Sequence, residues 1–443
     1  MAGRRSGLRQ GLHLDSVDSP VEMTIERLDS HGRGLANHAG MTVICDGALP
    51  GEIVSVSQLR QRRKLLYAQE YRTVLAAEAR VSPLCRYFGE CGGCHMQHAR
   101  YDAQLAYKES YLKHSLQRYG EVSPEQWLPA LADSPFHYRR RVRLGVRVIS
   151  NDDIIIGFRR KHRSYLLDIK ACPVLDPRLH MLLEPLHQLV PQLSVRHRLP
   201  QIELISGELE VAAVVCHLLP LSENDRGLLR EFAQQQDVMV FTRSGGPDSI
   251  QPLVSTQAAS LQYSLKRHQI RLTYAATDFI QANAQINELL VDQVIAQLDV
   301  QEHDDILELF CGIGNFSLPL ARYARSVVGV EARATLVERA RVNAEHNGLR
   351  NLQFHHADLT HWLPDGKYNK LLIDPPREGA IDVIKRLPVD GVDTIVYVSC
   401  MPRTLARDLR YLVYQRGYTL MKAGVVDMFP QTKHIESIAV LQR

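Results

Sequence analysis

The chain has 443 residues, more than one ordinary domain holds, so two or three domains are expected. A hydrophobic fraction of 45% and a charged fraction of 23% exclude a disordered chain and point to packed cores. The net charge of +4 does not by itself mark a nucleic-acid binder, but Arg and Lys crowd before residue 170. No apolar run is long enough to span a bilayer, and residues 1–20 have neither an apolar signal core nor a small-residue cleavage site. The protein is therefore expected in the cytoplasm and away from membranes, with its eight cysteines as reduced thiols, ligands or nucleophiles.

Residues 1–15 read as a flexible basic tail carrying Arg4, Arg5 and Arg9. Residues 16–76 alternate in the β manner, with Val21, Met23 and Ile25, then Met41, Val43 and Cys45, then Ile53, Val54 and Val56. Short strands punctuated by glycine predict a small β-barrel of the OB type. The basic loop Arg60, Arg62, Arg63 and Lys64 suits an RNA backbone, although a solvated turn is the plain reading of such a run.

Residues 77–271 open with a cysteine cluster. Next comes a helix near 98–119, in which Tyr101, Leu105, Leu112 and Leu116 fall near helical spacing. Two basic strands are expected at 137–143 and 157–163. Alternation sets Arg139, Arg141 and Arg143 on one face, interleaved with Tyr138 and Phe158, which favours phosphate contact over a merely solvated face. Residues 176–260 carry no recognisable signal.

Residues 272–443 alternate short apolar strands at 306–309, 327–330, 352–354, 371–373 and 395–398 with helical stretches, the pattern of a parallel α/β sheet. The first strand runs into Phe310, Cys311, Gly312, Ile313, Gly314 and Asn315, and glycine there lets backbone pass close under a ligand. A dinucleotide fingerprint would want a third Gly or Ala at 317, where Ser317 stands instead. Glu331 ends the second strand, about 20 residues on, where an acid accepts ribose hydroxyls. Asp358 follows the third strand, near where an adenine would lie, and Asp374, Pro375 and Pro376 follow the fourth. Helix-capping acids explain any one of these features but hardly all four. No phosphate loop is present, which weighs against an NTPase. In this order they resemble class I S-adenosylmethionine methyltransferases. The stretch 277–283 resembles the motif in which Gln281 helps hold the cofactor and an aromatic lines the pocket.

The fifth strand ends at Ser399 and Cys400, where an open α/β sheet does its chemistry. A buried core thiol is the plain reading of a single cysteine. Here Arg403 follows closely and is expected to favour the thiolate. A thiol has a use in methylating uracil. Addition of a thiolate at C6 makes C5 carbanion-like, and a base must later remove the C5 proton. Glu436 and His434 are the candidate bases, with a surface carboxylate as the plain reading of Glu436.

Residues 374–377, 399–402 and 434–437 resemble the RNA 5-methyluridine methyltransferase family. The resemblance implies that Cys400 attacks C6 and that Glu436 takes the C5 proton. It also implies that Gln281, Phe310, Asn315, Glu331, Asp358 and Asp374 hold S-adenosylmethionine. The hairpin 31–40 and residues 49–52 resemble a TRAM domain, an RNA-binding barrel.

Cys85, Cys91, Cys94 and the distant Cys172 could hold zinc, although zinc sites usually pair their cysteines. Cys91 to His95 also spells a haem c attachment, which would need export. The arrangement matches the ribosomal branch of the resembled family, which implies a 4Fe–4S cluster of structural role.

The expected architecture is thus an α/β Rossmann-like class I methyltransferase domain at 272–443, an N-terminal small β-barrel at 16–76, and a central α+β iron–sulfur domain at 77–271. The tRNA-modifying branch lacks both the cluster and the TRAM segment, so a chain with all three segments resembles the branch acting on a 23S rRNA uridine. A uridine in another RNA (tRNA or a different rRNA site) and a non-catalytic rRNA-binding assembly factor remain alternatives. An RNA cytosine-C5 enzyme would carry a cysteine where Pro376 stands, and an amine methyltransferase an aromatic at Arg377. No obligatory protein partner is expected, and the chain is expected to act as a monomer.

Overall fold

The structure, a computed structural model, describes residues 14–150, 153–254 and 260–443. The expected basic tail lies outside the described residues up to residue 13, and Leu14 already belongs to a strand. The chain forms two compact units. The first takes in the chain up to residue 89 with 94–107 and 431–433; the second comprises 90–93, 108–430 and 434–443.

The first unit is built on a six-stranded sheet in the order Leu14–Thr24, Ile53–Arg62, Leu65–Leu75, Met41–Cys45, Gly34–His38, Arg27–Leu28. Arg27–Leu28 continues the first strand beyond a two-residue break, so the sheet closes on itself as a small barrel. The inward positions of the alternating pattern, Met23, Ile25, Val43, Cys45, Val54 and Val56, fill it. The basic run Arg62, Arg63 and Lys64 is exposed at a hairpin tip, with Arg63 at φ 57°.

The second unit carries two sheets. The seven-stranded sheet runs Leu166–Asp168, Asp153–Arg159, Arg141–Ser150, Gln201–Ser206, Val211–Cys216, Met239–Arg243, Ile250–Pro252. The eight-stranded sheet runs Leu352–His356, Ser326–Glu331, Asp305–Leu309, Lys370–Ile373, Thr394–Ser399, Glu436–Gln442, Thr419–Val426, Gln126–Trp127. Its first five strands are parallel, and Glu436–Gln442 is antiparallel to both neighbours. This is the Rossmann-like methyltransferase fold. The strand order reverses beside Asp305–Leu309, and the carboxyl ends at such a switch point form the ligand crevice. One apolar core joins Ile205, Val214 and Leu272 to Ile286, Ile306 and Val396, so packing is continuous across the expected boundary at 271/272.

The expected helix is Tyr101–Ser115, followed by a π-helical turn, Leu116–Gly120. Leu112 and Leu116 share a core with Leu405, Leu409 and Leu412 of the helix Pro402–Arg416. A Cβ at Gly120 would stand 2.6 Å from the Ala406 carbonyl, so only glycine allows this approach. The turn thereby fixes the helix that leaves Cys400. Among the described residues, no helix is long and apolar enough to cross a membrane.

Candidate active site

The Gly loop forms because the chain leaves Asp305–Leu309 through left-handed backbone. Phe310 has φ 65°, Gly312 57° and Gly314 90°. A side chain at Gly314 would collide with Leu318. The Phe310 and Cys311 amides donate to the Val330 carbonyl at 2.9 and 3.2 Å, and the Gly312 amide donates to Glu331 Oε2 at 3.2 Å. Loop and ribose-type acid are thus tied together before any ligand arrives.

Asp358 is exposed, and its carboxylate accepts from Thr360 Oγ1 at 2.7 Å and lies 3.0 Å from His361 Nδ1. The Thr360 hydroxyl and amide and His361 together hold its carboxyl low, at about 2. Asn315 is committed to protein: its side chain exchanges two 2.9 Å hydrogen bonds with Asn287, and Tyr263 Oη donates to it at 2.8 Å. Gln281 is buried, and its carbonyl accepts from Arg140 Nε at 2.7 Å. Nearby in sequence, Phe279 is 68% exposed, unusual for a phenyl ring.

Cys400 and Glu436 are brought together by strand pairing. Ser399 pairs with Ser437 across antiparallel strands, so the next step of the register sets Cys400 opposite Glu436. On its other side Glu436 pairs with Val426. It is buried rather than a surface carboxylate, at 7% exposure, and its Oε2 has no hydrogen-bond partner. Burial pushes its carboxyl up to about 8, assisted by Asp374 and Asp427 and opposed by Lys108. His434 is exposed, edge-on to Phe429.

Burial also lifts Asp374 to about 7. Glu308, in the strand below the Gly loop, is lifted to about 8 while accepting from Ser317 Oγ. Three carboxyls with proton affinity raised chiefly by desolvation, Glu308, Asp374 and Glu436, thus gather at the strand ends, a setting that favours a bound cation.

One expectation is overturned here and another is narrowed. The thiolate of Cys400 is not favoured by Arg403, whose guanidinium lies 4.6 Å over the Tyr119 ring. Burial, Glu436 and Asp374 push the thiol up to about 11, against a smaller pull from Arg377. The basic strand face is partly engaged within the protein, although Arg143 stays 66% exposed. Arg141 and Arg143 each reach the buried Glu203 at 3.2 Å, and Arg243 joins them from a third strand at 3.2 Å. Arg141 is further spent on the Ala276 and Asp278 carbonyls.

Of the cysteine cluster, the residues 91–92 hang on the strand Asp153–Arg159, through a Cys91–Arg160 bridge and a 2.9 Å bond from the Gly92 amide to the Arg159 carbonyl. The Gly93 amide donates to Cys91 Sγ at 3.4 Å, a contact that suits a thiolate ligand. Cys85 and Cys94 are half-buried and Cys172 is buried. Among the described residues, no group of three or more His, Cys, Asp or Glu is placed to hold a metal ion. Sulfur chemistry and spacing fit a cluster.

Sequence reasoning missed Glu308, although a lone Glu in an apolar strand was a visible signal. It also missed Arg140, Tyr263, Asn287, Lys108 and Asp427, which no motif marks.

A family model described as tRNA (Uracil-5-)-methyltransferase matches residues 100–361 and 358–443. The chain is similar to a 23S rRNA (uracil(1939)-C(5))-methyltransferase of Nitrosospira multiformis, 42% identical and covering 95% of this chain and 98% of the relative. An enzyme of the same name from Aromatoleum aromaticum is 44% identical over 95% of this chain and 99% of its own. Among solved structures, the Pyrococcus abyssi tRNA (uracil-54, C5)-methyltransferase in complex with S-adenosyl-L-homocysteine aligns with a TM-score of 0.75 at 25% identity. It covers 95% of this chain and 99% of that one. A tRNA-acting enzyme therefore spans nearly the same length, so the module layout alone does not separate rRNA from tRNA substrates.

Proposed function

This chain belongs to the tRNA (uracil-5-)-methyltransferase family, and we propose that within it the chain methylates C5 of a uridine in 23S ribosomal RNA. It is an S-adenosylmethionine-dependent enzyme whose product is 5-methyluridine. Identity of 42% and 44% over 95% of the chain to enzymes with that substrate favours rRNA over tRNA. For the chemistry, the observation that carries the reading is the register that sets Cys400 against the orphaned carboxylate of Glu436.

S-adenosylmethionine, when bound, supplies an electrophilic methyl carbon on a sulfonium. Gln281, Phe310, Glu331, Asp358 and Asp374 would hold it, and Asn315 would act mainly by shaping the loop through Asn287 and Tyr263. The excess of buried carboxylate suits its positive charge, which in turn acts to lower the Cys400 thiol. Cys400, once its proton has passed to solvent, adds to C6 as the thiolate, the C5–C6 π pair moves onto the C4 carbonyl as an enolate, and C5 becomes the nucleophile that takes the methyl, leaving a neutral thioether. Glu436 then accepts the C5 proton. The released pair restores the C5–C6 double bond and the sulfur–C6 bond breaks, returning Cys400.

Cys85, Cys91, Cys94 and Cys172 would hold a 4Fe–4S cluster as thiolates, and it would pin the 85–94 segment. No step of the transfer runs through it. Iron and acid-labile sulfide in anaerobically purified protein are the expected result; stoichiometric zinc without iron would remove this part. The N-terminal barrel is read as a TRAM module that grips RNA through its basic hairpin tip, and the protein as cytoplasmic.

The decisive experiment maps 5-methyluridine in RNA from cells with and without the protein. Loss at the rRNA position equivalent to the relatives' uracil 1939 is expected. Loss in tRNA with intact rRNA would overturn the substrate.

A further inference from the structure

Lys108 lies on the helix Tyr101–Ser115, and its side chain has no exposed surface. Its Nζ donates to Asp427 Oδ1 at 2.5 Å and to the Phe429 carbonyl at 2.9 Å. Asp427 is also fully buried. A buried ion pair is a weak device for stability, because desolvating two charges offsets most of their attraction. The position of this pair gives it another use. Val426 pairs with Glu436, so Asp427 is the next residue along the strand neighbouring Glu436, on the side away from Cys400. Among the described residues, the charged and titratable groups that act on Glu436 are Asp374, Lys108, Asp427 and Cys400, of which Lys108 is the cation. Without it, a carboxylate with an unpartnered oxygen would sit among acids.

We propose that Lys108, held in place by Asp427, is the positioning residue that eases the ionisation of Glu436, so that it can take the C5 proton. The inference rests on Glu436 being the base. Lys108 touches neither RNA nor cofactor in this role. Burial pulls the Lys108 amine's proton affinity down while Asp427 and Glu436 oppose that, and its charged form supplies the field in which the proton moves from C5 to the Glu436 carboxylate as the sulfur–C6 bond breaks. The reaction step that depends on it is the resolution of the methylated covalent adduct, not its formation.

The test follows adduct resolution directly. Wild-type enzyme is loaded with labelled cofactor and RNA in a single turnover, and the methyl-bearing protein–RNA adduct is followed against pH. Resolution requires ionised Glu436, so its rate should rise with pH through the titration of that group. In Lys108→Met the rise should move to higher pH, and each unit of movement costs about tenfold in rate on the acid side. Lys108→Arg should keep the wild-type profile. If Lys108→Met does not fold, Lys108→Met with Asp427→Asn removes both charges and leaves no buried ion unpaired. Its profile should move in the same direction but less, because one attraction and one repulsion are lost together. A wild-type pH profile in either charge-removing variant, at whatever rate, overturns the role of Lys108. Glu436→Gln is run alongside. If it resolves the adduct at the wild-type rate, the base assignment itself fails. If it stalls while Lys108→Met keeps the wild-type profile, only the present inference fails.

Discussion

Glu203 and Glu436 are the same residue at similar depth, 1% and 7% exposed, each on a strand between two neighbours. Their surroundings are opposite. Glu203 meets Arg141, Arg143 and Arg243, and Gln201 donates to it at 2.9 Å. Burial pushes its carboxyl up, but Arg143 and Arg141 outweigh that and leave it below the ordinary range. Glu436 has the cation Lys108 against the acids Asp374 and Asp427 and ends at about 8. Burial alone does not mark a base; what marks it is a buried oxygen that the protein leaves without a donor.

The contrast can be broken in several ways. The largest effect should come from Cys400→Ala, which removes the atom that activates C5. Methyl transfer should fall by roughly 10⁴-fold or more, and no adduct should survive a denaturing gel. Detectable adduct in that variant would sink the thiol mechanism. Glu436→Gln should lower turnover by about 10²- to 10⁴-fold while still forming the labelled adduct. RNA carrying 5-fluorouridine should trap wild-type protein in the same form, since fluorine does not leave as a cation.

Glu203→Gln should instead cost stability, about 3–5 kcal/mol, because it strands the largely covered guanidinium groups of Arg141 and Arg243. Denaturant unfolding measures this, and the folded fraction should retain its activity. The two glutamates should also respond to pH with opposite sign. Glu203 is held low, so its contribution is present above the ordinary carboxylate range and is lost as pH falls through its depressed value. Glu436 is held high, so its contribution is present in acid and is lost as pH rises through about 8. Glu436→Gln should therefore melt above wild type at pH 9, with the gap closing toward pH 4. An equal gap at both pH values would contradict the burial argument. The smallest effect belongs to Asp358→Asn. Its carboxylate is already shared with Thr360 and His361, so a KM for cofactor raised only about two- to fivefold is expected on loss of one exposed charged hydrogen bond.

The catalytic sheet was legible because its signals are local. Apolar runs at 306–309, 327–330 and 395–398 became strands with ends within one residue of the expected ones, and chemistry-bearing residues follow strands by the logic of the fold. What sequence did not reveal depends on partners far along the chain. The strand bearing Arg141 looks like a phosphate grip until Glu203, 62 residues on, is seen beneath it. Lys108 looks like a solvated helix position until Asp427, 319 residues away, meets it. Arg403 follows Cys400 by three residues, yet helix geometry turns it toward Tyr119 and leaves Arg377 as the cation that acts on the thiol. The cysteine cluster is the converse: its spacing reads clearly in sequence, and the fold adds a Gly93 amide at Cys91 Sγ.

The antiparallel strand Glu436–Gln442 carries one more consequence. Most enzymes mount their reactive groups on loops, which absorb insertions and deletions cheaply. Here nucleophile and base are opposed by a hydrogen-bonded ladder running from Thr394 opposite Gln442 to Ser399 opposite Ser437. Slipping that ladder by one residue would turn every side chain to the other face. Ile435 or Ser437 would then stand against Cys400, and the carboxylate would point into the wrong layer. Length changes between 437 and 442 are thus frame errors for the chemistry, as unforgiving as a lost base in a codon.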